Sequence, residues 1–233
     1  MPTANYQLGG KRIPGTTTII GRFKESGGLI HWAWDLGMQG INYREQRDAA
    51  ASTGNLGHAM IEAEIKDCTL SDLGIELGIY TPDQQEQAEK CRDSYVKWAK
   101  QNSMEIVGTE MNMVSKDLKF GGTPDAVAVL DGKLTLLDFK TSNKTYGDYA
   151  VQCAAYCHLV QDGYLFDTED PNNVIDSPWK GREMDGAHLL RIGKEFGEFH
   201  HAYWDAKVMD YCLNAFKNMR CLYDQVAKIK KLA

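Results

Sequence analysis

The stretch Gly122-Thr123-Pro124-Asp125-Ala126-Val127-Ala128-Val129-Leu130-Asp131-Gly132-Lys133-Leu134-Thr135-Leu136-Leu137-Asp138-Phe139-Lys140 decides the fold. Asp131-Gly132 lies between two β-prone runs, and Asp-Gly is the pair that a two-residue hairpin loop favours. With that loop, Leu130 pairs with Lys133, and counting outward sets Asp125 opposite Asp138. Directly opposed residues have Cβ atoms about 4.5–5.5 Å apart. Strand alternation puts Lys140 on the same face as Asp138. Val127, Val129, Leu134 and Leu136 share one face, and Ala126, Ala128, Leu137 and Phe139 line the other. A strand apolar on both faces is buried.

Upstream of the hairpin, Met104 to Ser115 is rich in Val, Ile and Met and reads as a strand carrying Glu110 inside it. Before it, Thr81 as N-cap, Pro82 at the first helical position, Asp83 and Gln84 predict a helix whose buried stripe is Cys91, Tyr95 and Trp98. From about Thr53 to Ile65, Leu56, Met60 and Ile65 recur at helical spacing. The opening fifty-odd residues, with Trp32 and Trp34, read as irregular. After the hairpin come a helix over about 149–162, a loop over 168–182, two strands at 187–192 and 198–204, and a final helix over about 205–230. That helix carries Val208, Tyr211, Cys212, Ala215, Met219 and Leu222 on one face.

Composition bounds the class. The chain has 233 residues, 43% of them hydrophobic, enough for one domain with a sizeable core, and no linker divides it. The longest apolar stretch, 149–160, falls short of the roughly 20 residues that span a bilayer, which argues against a membrane protein. The polar N-terminus lacks an apolar signal core, so a reducing cytoplasm is expected and the six cysteines should be thiols. None of them forms a C-x-x-C pair. The net charge is −6, which does not announce a nucleic-acid binder, yet carboxylates gathered round a metal would inflate that sum.

Asp125 and Asp138 facing each other repel, and a divalent cation between them resolves the conflict. Two carboxylates with water suit Mg²⁺, an ion commonly completed by substrate phosphate, and Lys140 beside it would orient water and offset transition-state charge. That is a phosphodiesterase layout. Taken singly, Asp125 reads more simply as a strand start after Pro124, and Asp138 with Lys140 as a surface ion pair. The apolar runs on both faces count against that reading, because charged residues are rarely buried without partners.

Gly122-Thr123-Pro124-Asp125, then Asp138-Phe139-Lys140 thirteen residues on, then Gln152-x-x-x-Tyr156, resemble the PD-(D/E)xK nuclease superfamily, in its RecB-like branch. Gly57-His58, Glu62 and Glu110 match further elements of that branch, so the resemblance covers about 54–156. It implies an α/β fold with a restriction-endonuclease-like core, a mixed central sheet flanked by helices, in a single domain over 1–233. It implies that Asp125, the Asp138 side chain and the Phe139 carbonyl hold the metal, and that Lys140 positions or activates the attacking water. His58 would be an imidazole ligand that lets the site accept Mn²⁺ as well as Mg²⁺. Glu62 would ligate a second metal or orient His58, and Glu110 would be a further carboxylate or a solvent-facing strand residue. Gln152 and Tyr156 would orient Lys140 or contact DNA, or simply form a polar helix edge. The cysteine spacing departs from that of members with an iron–sulfur cluster, so no cluster is expected.

Basic residues near the site, Lys11, Arg12, Arg22, Lys24, Arg44, Arg47, Lys116, Lys119 and Lys144, are candidates for a DNA-binding rim, with Trp32 or Trp34 stacking on a nucleic-acid end. The resemblance points to a Mg²⁺- or Mn²⁺-dependent DNA nuclease, foremost an exonuclease of recombination or repair in a bacterial or phage-infected cytosol. Its expected partners are linear DNA ends or single strands, with a single-strand annealing protein or helicase beside it. The alternatives are a structure-specific endonuclease of the same chemistry and a non-cleaving relative that binds DNA or a partner. A zinc hydrolase using His188, His200 and His201 fails on spacing, since adjacent strand residues point to opposite faces.

Overall fold

In the computed structural model, residues 5–142, 144–170, 173–193 and 197–232 are described. The opening residues 1–4, and residues 171 and 172 of the predicted 168–182 loop, lie outside them. A short hairpin of β1 (Gln7–Leu8) and β2 (Lys11–Arg12) leads into α1 (Thr16–Phe23), α2 (Gly27–Met38) and α3 (Tyr43–Lys66). After α4 (Pro82–Gln101) come β3 (Met104–Thr109), β4 (Met113–Ser115), β5 (Phe120–Gly122), β6 (Ala126–Leu130) and β7 (Lys133–Lys140). The chain then forms α5 (Gly147–Asp162), β8 (Tyr164–Phe166), β9 (Val174–Asp176), β10 (Gly186–Ile192), β11 (Phe199–Asp205) and α6 (Ala206–Ile229).

The central sheet has the order β11-β10-β7-β6-β3. Only β7 and β10 run parallel within it, and the crossover between them carries α5. The β6–β7 pairing holds Leu130 opposite Lys133 and Ala126 opposite Leu137. Asp131 and Gly132, at φ +50° and +79°, supply the left-handed pair that a type I′ turn demands. A second sheet, β5-β4-β8-β9, sets Gly122 at the edge of the site.

The alternation of β7 builds two cores. Leu134 and Leu136, with Val127 from β6, pack against Ile19 and Ile20 of α1, against α5 from Cys153 to Val160, and against Met209, Cys212 and Phe216 of α6. Leu137 and Phe139, with Ala126 and Ala128, pack against Ile61 of α3 and Cys91, Tyr95 and Trp98 of α4. The molecule is therefore α/β, a mixed sheet with helices on both faces.

Three expectations need correction. Among the first fifty-odd residues, the described ones are ordered as a short hairpin and helices, and α3 begins at Tyr43, ten residues before the predicted start. Its first turns are exposed and carry no apolar stripe, while Asn42 caps them by accepting a hydrogen bond from the Arg44 amide. The strand predicted over 104–115 is two strands, with Glu110 at the break in a left-handed conformation, φ +47°. On α6 the buried stripe is Met209, Cys212, Phe216 and Arg220, and Val208, Tyr211 and Leu222 face outward. The Thr81 helix has its full capping box, Thr81 Oγ1 accepting from the Gln84 amide and Gln84 Oε1 from the Thr81 amide.

Candidate active site

Asp125 lies just before β6, where Pro124 ends the connection from β5. The Phe139 amide on β7 donates to its Oδ2 at 2.7 Å. Its carbonyl accepts from the Glu110 amide at 3.1 Å, and that contact pins the chain break between β3 and β4. A non-glycine residue at positive φ costs of order 1–3 kcal/mol and persists only where the surroundings hold it. Here the strained turn aims Glu110 at Asp125.

His58 arrives from α3, with Nδ1 3.8 Å from Asp125 Oδ2. The helix comes close because Gly54 and Gly57 face the end of β7. A Cβ on Gly54 would sit 2.8 Å from Thr141 Oγ1, and one on Gly57 3.4 Å from Cys91 Cβ. Ligand atoms of His58, Glu110 and Asp125 all lie within 4.8 Å of one another, and no other such group of three occurs among the described residues. All three line a cavity of about 570 Å³ with Glu62, Tyr156 and Thr16.

Asp138 and Lys140 lie behind this group on β7. Asp138 is 0% exposed; Lys140 Nζ stands 2.5 Å from its Oδ2, and its Oδ1 has no hydrogen-bond partner among the described residues. Lys140 also packs over the Tyr149 ring, 5.2 Å from the centroid. The face that the hairpin count assigns to Asp138 is thus buried, and the surface-ion-pair reading falls. Glu62 is engaged by Lys66 one turn along α3, at 2.5 Å. Gln152 Nε2 donates to Tyr156 Oη at 3.0 Å.

The charges here are unfavourable as they stand. Burial, then the Asp125 and Glu62 carboxylates, push Glu110 up to about 9. Burial raises Asp125 against the pull of Lys140, and it pushes Asp138 up to about 6. Burial, then Lys140, push His58 down to about 4, so its imidazole is neutral at neutral pH and keeps a lone pair. The Phe139 backbone pulls His58 the other way, more weakly. Burial works against the Lys140 ammonium, but Asp138 and Asp125 outweigh it and keep it charged. One imidazole, crowded carboxylates held partly protonated and an orphaned carboxylate oxygen fit a divalent cation, which would reverse the local electrostatics.

A sequence model of the PD-(D/E)XK nuclease superfamily matches residues 6–176, more than half of the chain. The chain belongs to the PD-(D/E)XK nuclease superfamily. No curated protein matches it. The mixed sheet between helices is the restriction-endonuclease-like core of this superfamily, and PD-(D/E)XK nucleases act on DNA with divalent metals.

The predicted DNA contacts fall into separate groups. Lys116 and Lys119 line one cavity with Lys11 and Arg12. Arg44 and Arg47 lie on the exposed start of α3, Arg44 against the Tyr43 ring and Arg47 paired with Asp48. Trp32 meets Tyr43 edge-on, and Trp34, 59% exposed, stacks on His31. Lys144 is exposed beyond β7, its carbonyl accepting from Ser142. Single-motif reading missed the support of the Gly122 turn, where Thr123 donates to Asn112 and shares a hydrogen bond with the Tyr6 hydroxyl. Thr123 adjoins the quoted motif, but nothing local points to Tyr6 or Asn112. His188 Nδ1 and His201 Nε2 approach to 2.8 Å as a hydrogen-bonded pair, and no group of three metal-ligating residues among the described ones includes them.

Proposed function

We propose that this PD-(D/E)XK nuclease is a Mg²⁺- or Mn²⁺-dependent DNA exonuclease of recombination or repair. The observation that carries the reading is the convergence of His58, Glu110 and Asp125 on one cavity, with the Asp138–Lys140 pair behind it. His58, Asp125 and Glu110 would hold the cation, with Asp138 and the Phe139 carbonyl completing the set and Glu62, tied to Lys66, tuning its charge. When bound, the cation supplies Lewis-acid polarisation of the phosphate and acidifies a coordinated water.

Lys140 acts as an ammonium. Two carboxylates keep it protonated, so it donates: it orients the attacking water and offsets charge on the phosphate oxygens. Tyr156 accepts from Gln152, which leaves its own O–H free to donate into the cavity toward a phosphate oxygen. α2 supports end-directed action. None of its residues is buried, and Leu29, Ile30, Trp34 and Met38 are exposed on a helix with little charge. Unpaired bases at a DNA end offer Trp32 and Trp34 aromatic faces, while Arg44, Arg47 and Lys144 meet phosphates. The physiological setting proposed is a bacterial or phage-infected cytosol, beside a single-strand annealing protein or a helicase.

The test is cleavage of end-labelled linear DNA against covalently closed circles, in Mg²⁺ or Mn²⁺ and in chelator. Metal-dependent release of nucleotides from linear DNA alone is expected. Cutting of the circles makes the chain a structure-directed endonuclease, and binding without cutting makes it a non-cleaving relative.

A further inference from the structure

A second concavity lies beside the candidate metal site and not in it. It has a volume of about 930 Å³ and is bounded by the β1–β2 hairpin, the β4–β5 turn and α6. Five cations from these three places line it: Lys11, Arg12, Lys116, Lys119 and Arg220. Asp224 is its single carboxylate, and it is taken by Arg220 Nη1 at 2.6 Å. In a chain of net charge −6, this is a local reversal of sign.

Arg220 is buried, 8% exposed, in a stripe otherwise made of Met209, Cys212 and Phe216. Its Nε donates to the Lys119 carbonyl at 3.2 Å, which fixes the guanidinium. Its Nη1 is paired with Asp224 Oδ1 at 2.6 Å, so the guanidinium is held on two sides. A fixed, buried guanidinium with four further cations and one carboxylate around the same cavity leaves an excess of positive charge that suits an anion.

The cavity adjoins the candidate metal site. It reaches Gly15 and Thr18, while the metal-site cavity reaches Gly15, Thr16 and Thr17. The two meet at the first turn of α1, where Gly15 offers no side chain to the leading amides. The volume falls in the range of pockets that enclose a drug-sized ligand, about 300–1,000 Å³, so it has room for a nucleotide unit and not for a duplex.

We propose that this cavity holds backbone phosphates of one nucleic-acid strand, the strand whose scissile phosphodiester lies at the metal site. The strand passes the start of α1 and its phosphates meet Lys11, Arg12, Lys116, Lys119 and Arg220. This rests on the nuclease reading for the identity of the strand, but the binding it asserts is measurable without cleavage.

The experiment is binding of a fluorescent oligothymidylate in chelator, over a range of salt, by wild type and by two variants. One is Lys116→Ala/Lys119→Ala. The other is Lys11→Ala/Arg12→Ala, whose side chains are exposed on the hairpin and whose loss leaves the core intact. Each pair of lost contacts lowers the slope of log K against log salt by about 1.4, at about 0.7 per phosphate contact on a single strand, and weakens binding in step. Unchanged affinity and slope in both variants overturn the proposal. So does displacement of the oligonucleotide by inorganic phosphate or thymidine monophosphate at equal concentration, which makes the cavity a small-anion site. A wild type that cleaves DNA while the variants bind unchanged defeats the strand path alone. A wild type that binds through this cavity yet never cleaves defeats the nuclease reading alone.

Discussion

Lys140 Nζ sits 2.5 Å from Asp138 Oδ2 in a place where the carboxylate has no contact with solvent. Removing one partner of such a pair leaves an uncompensated buried charge, at a typical cost of about 3–5 kcal/mol. Asp138 escapes that cost only by protonation. Lys140→Ala therefore destabilises the metal-free protein, and denaturant midpoints measured from pH 8 down to pH 5 should show the deficit shrinking with acidity. Asp138→Asn/Lys140→Met should recover most of the loss, since it removes both charges together.

The pH dependence of the metal-free protein has a definite sign. Glu110, pushed up to about 9, keeps in the folded state a proton that the unfolded chain gives up near pH 4.5. The native state then binds more protons than the unfolded one, so stability falls as pH rises toward 9. His58, pushed down to about 4, works in the opposite direction, but only below about 6.5, where the unfolded imidazole protonates. Asp138, pushed up to about 6, is ionised by pH 7. Thermal melts between pH 7 and 9 should therefore show declining stability in chelator. Mn²⁺ or Glu110→Gln should flatten that decline.

His58 brings a neutral imidazole to a centre otherwise made of oxygens. Calorimetric titration of His58→Ala should show Mn²⁺ affinity lowered by more than tenfold, with Mg²⁺ less affected, because imidazole favours the transition ion. Glu62→Gln should move metal affinity less, since Glu62 is already satisfied by Lys66.

Gly122 lets β5 approach α5 and α1 closely. A Cβ there would lie 2.6 Å from Tyr156 Cε1 and 2.7 Å from Thr16 Oγ1. Gly122→Ala should lower the urea midpoint by an amount equivalent to about 1–3 kcal/mol, the usual range for overpacking. Activity should fall further than stability explains, because the displaced ring is that of Tyr156.

The hairpin was legible because its signals are local. Asp131-Gly132 names a turn that needs two positive φ angles, and the period of two on either side fixes which residues oppose and which face is buried. The Thr81 capping box is legible for the same reason. The first half of α3 was hidden because residues 43–52 bury no side chain fully, and a helix without a buried face leaves no apolar period to read. The break at Glu110 was hidden because Ile106-Val107 before it and Met113-Val114 after it read as one strand, although Gly108 and Asn112 weaken the run; the turn itself is held by the Asp125 carbonyl, which accepts from the Glu110 amide. On α6 the apolar residues exceed what one face can bury, so Tyr211 and Leu222 misdirected the choice of stripe. The basic cavity joins residues 11–12, 116–119 and 220, a convergence that only tertiary structure creates.

The proposed chemistry turns on Lys140 as a fixed ammonium beside a divalent-metal site that cuts DNA. The direct measurement is the rate of nucleotide release from linear DNA in Mg²⁺ or Mn²⁺ by wild type and Lys140→Ala, each shown by calorimetry to bind the metal and by melting to be folded. The wild type should cleave and lose all activity in chelator, and Lys140→Ala should bind metal yet cleave roughly 10²–10³-fold more slowly, the cost of one preorganised charge-stabilising donor. Equal rates for the two proteins, or cleavage that persists in chelator, would rule out that chemistry.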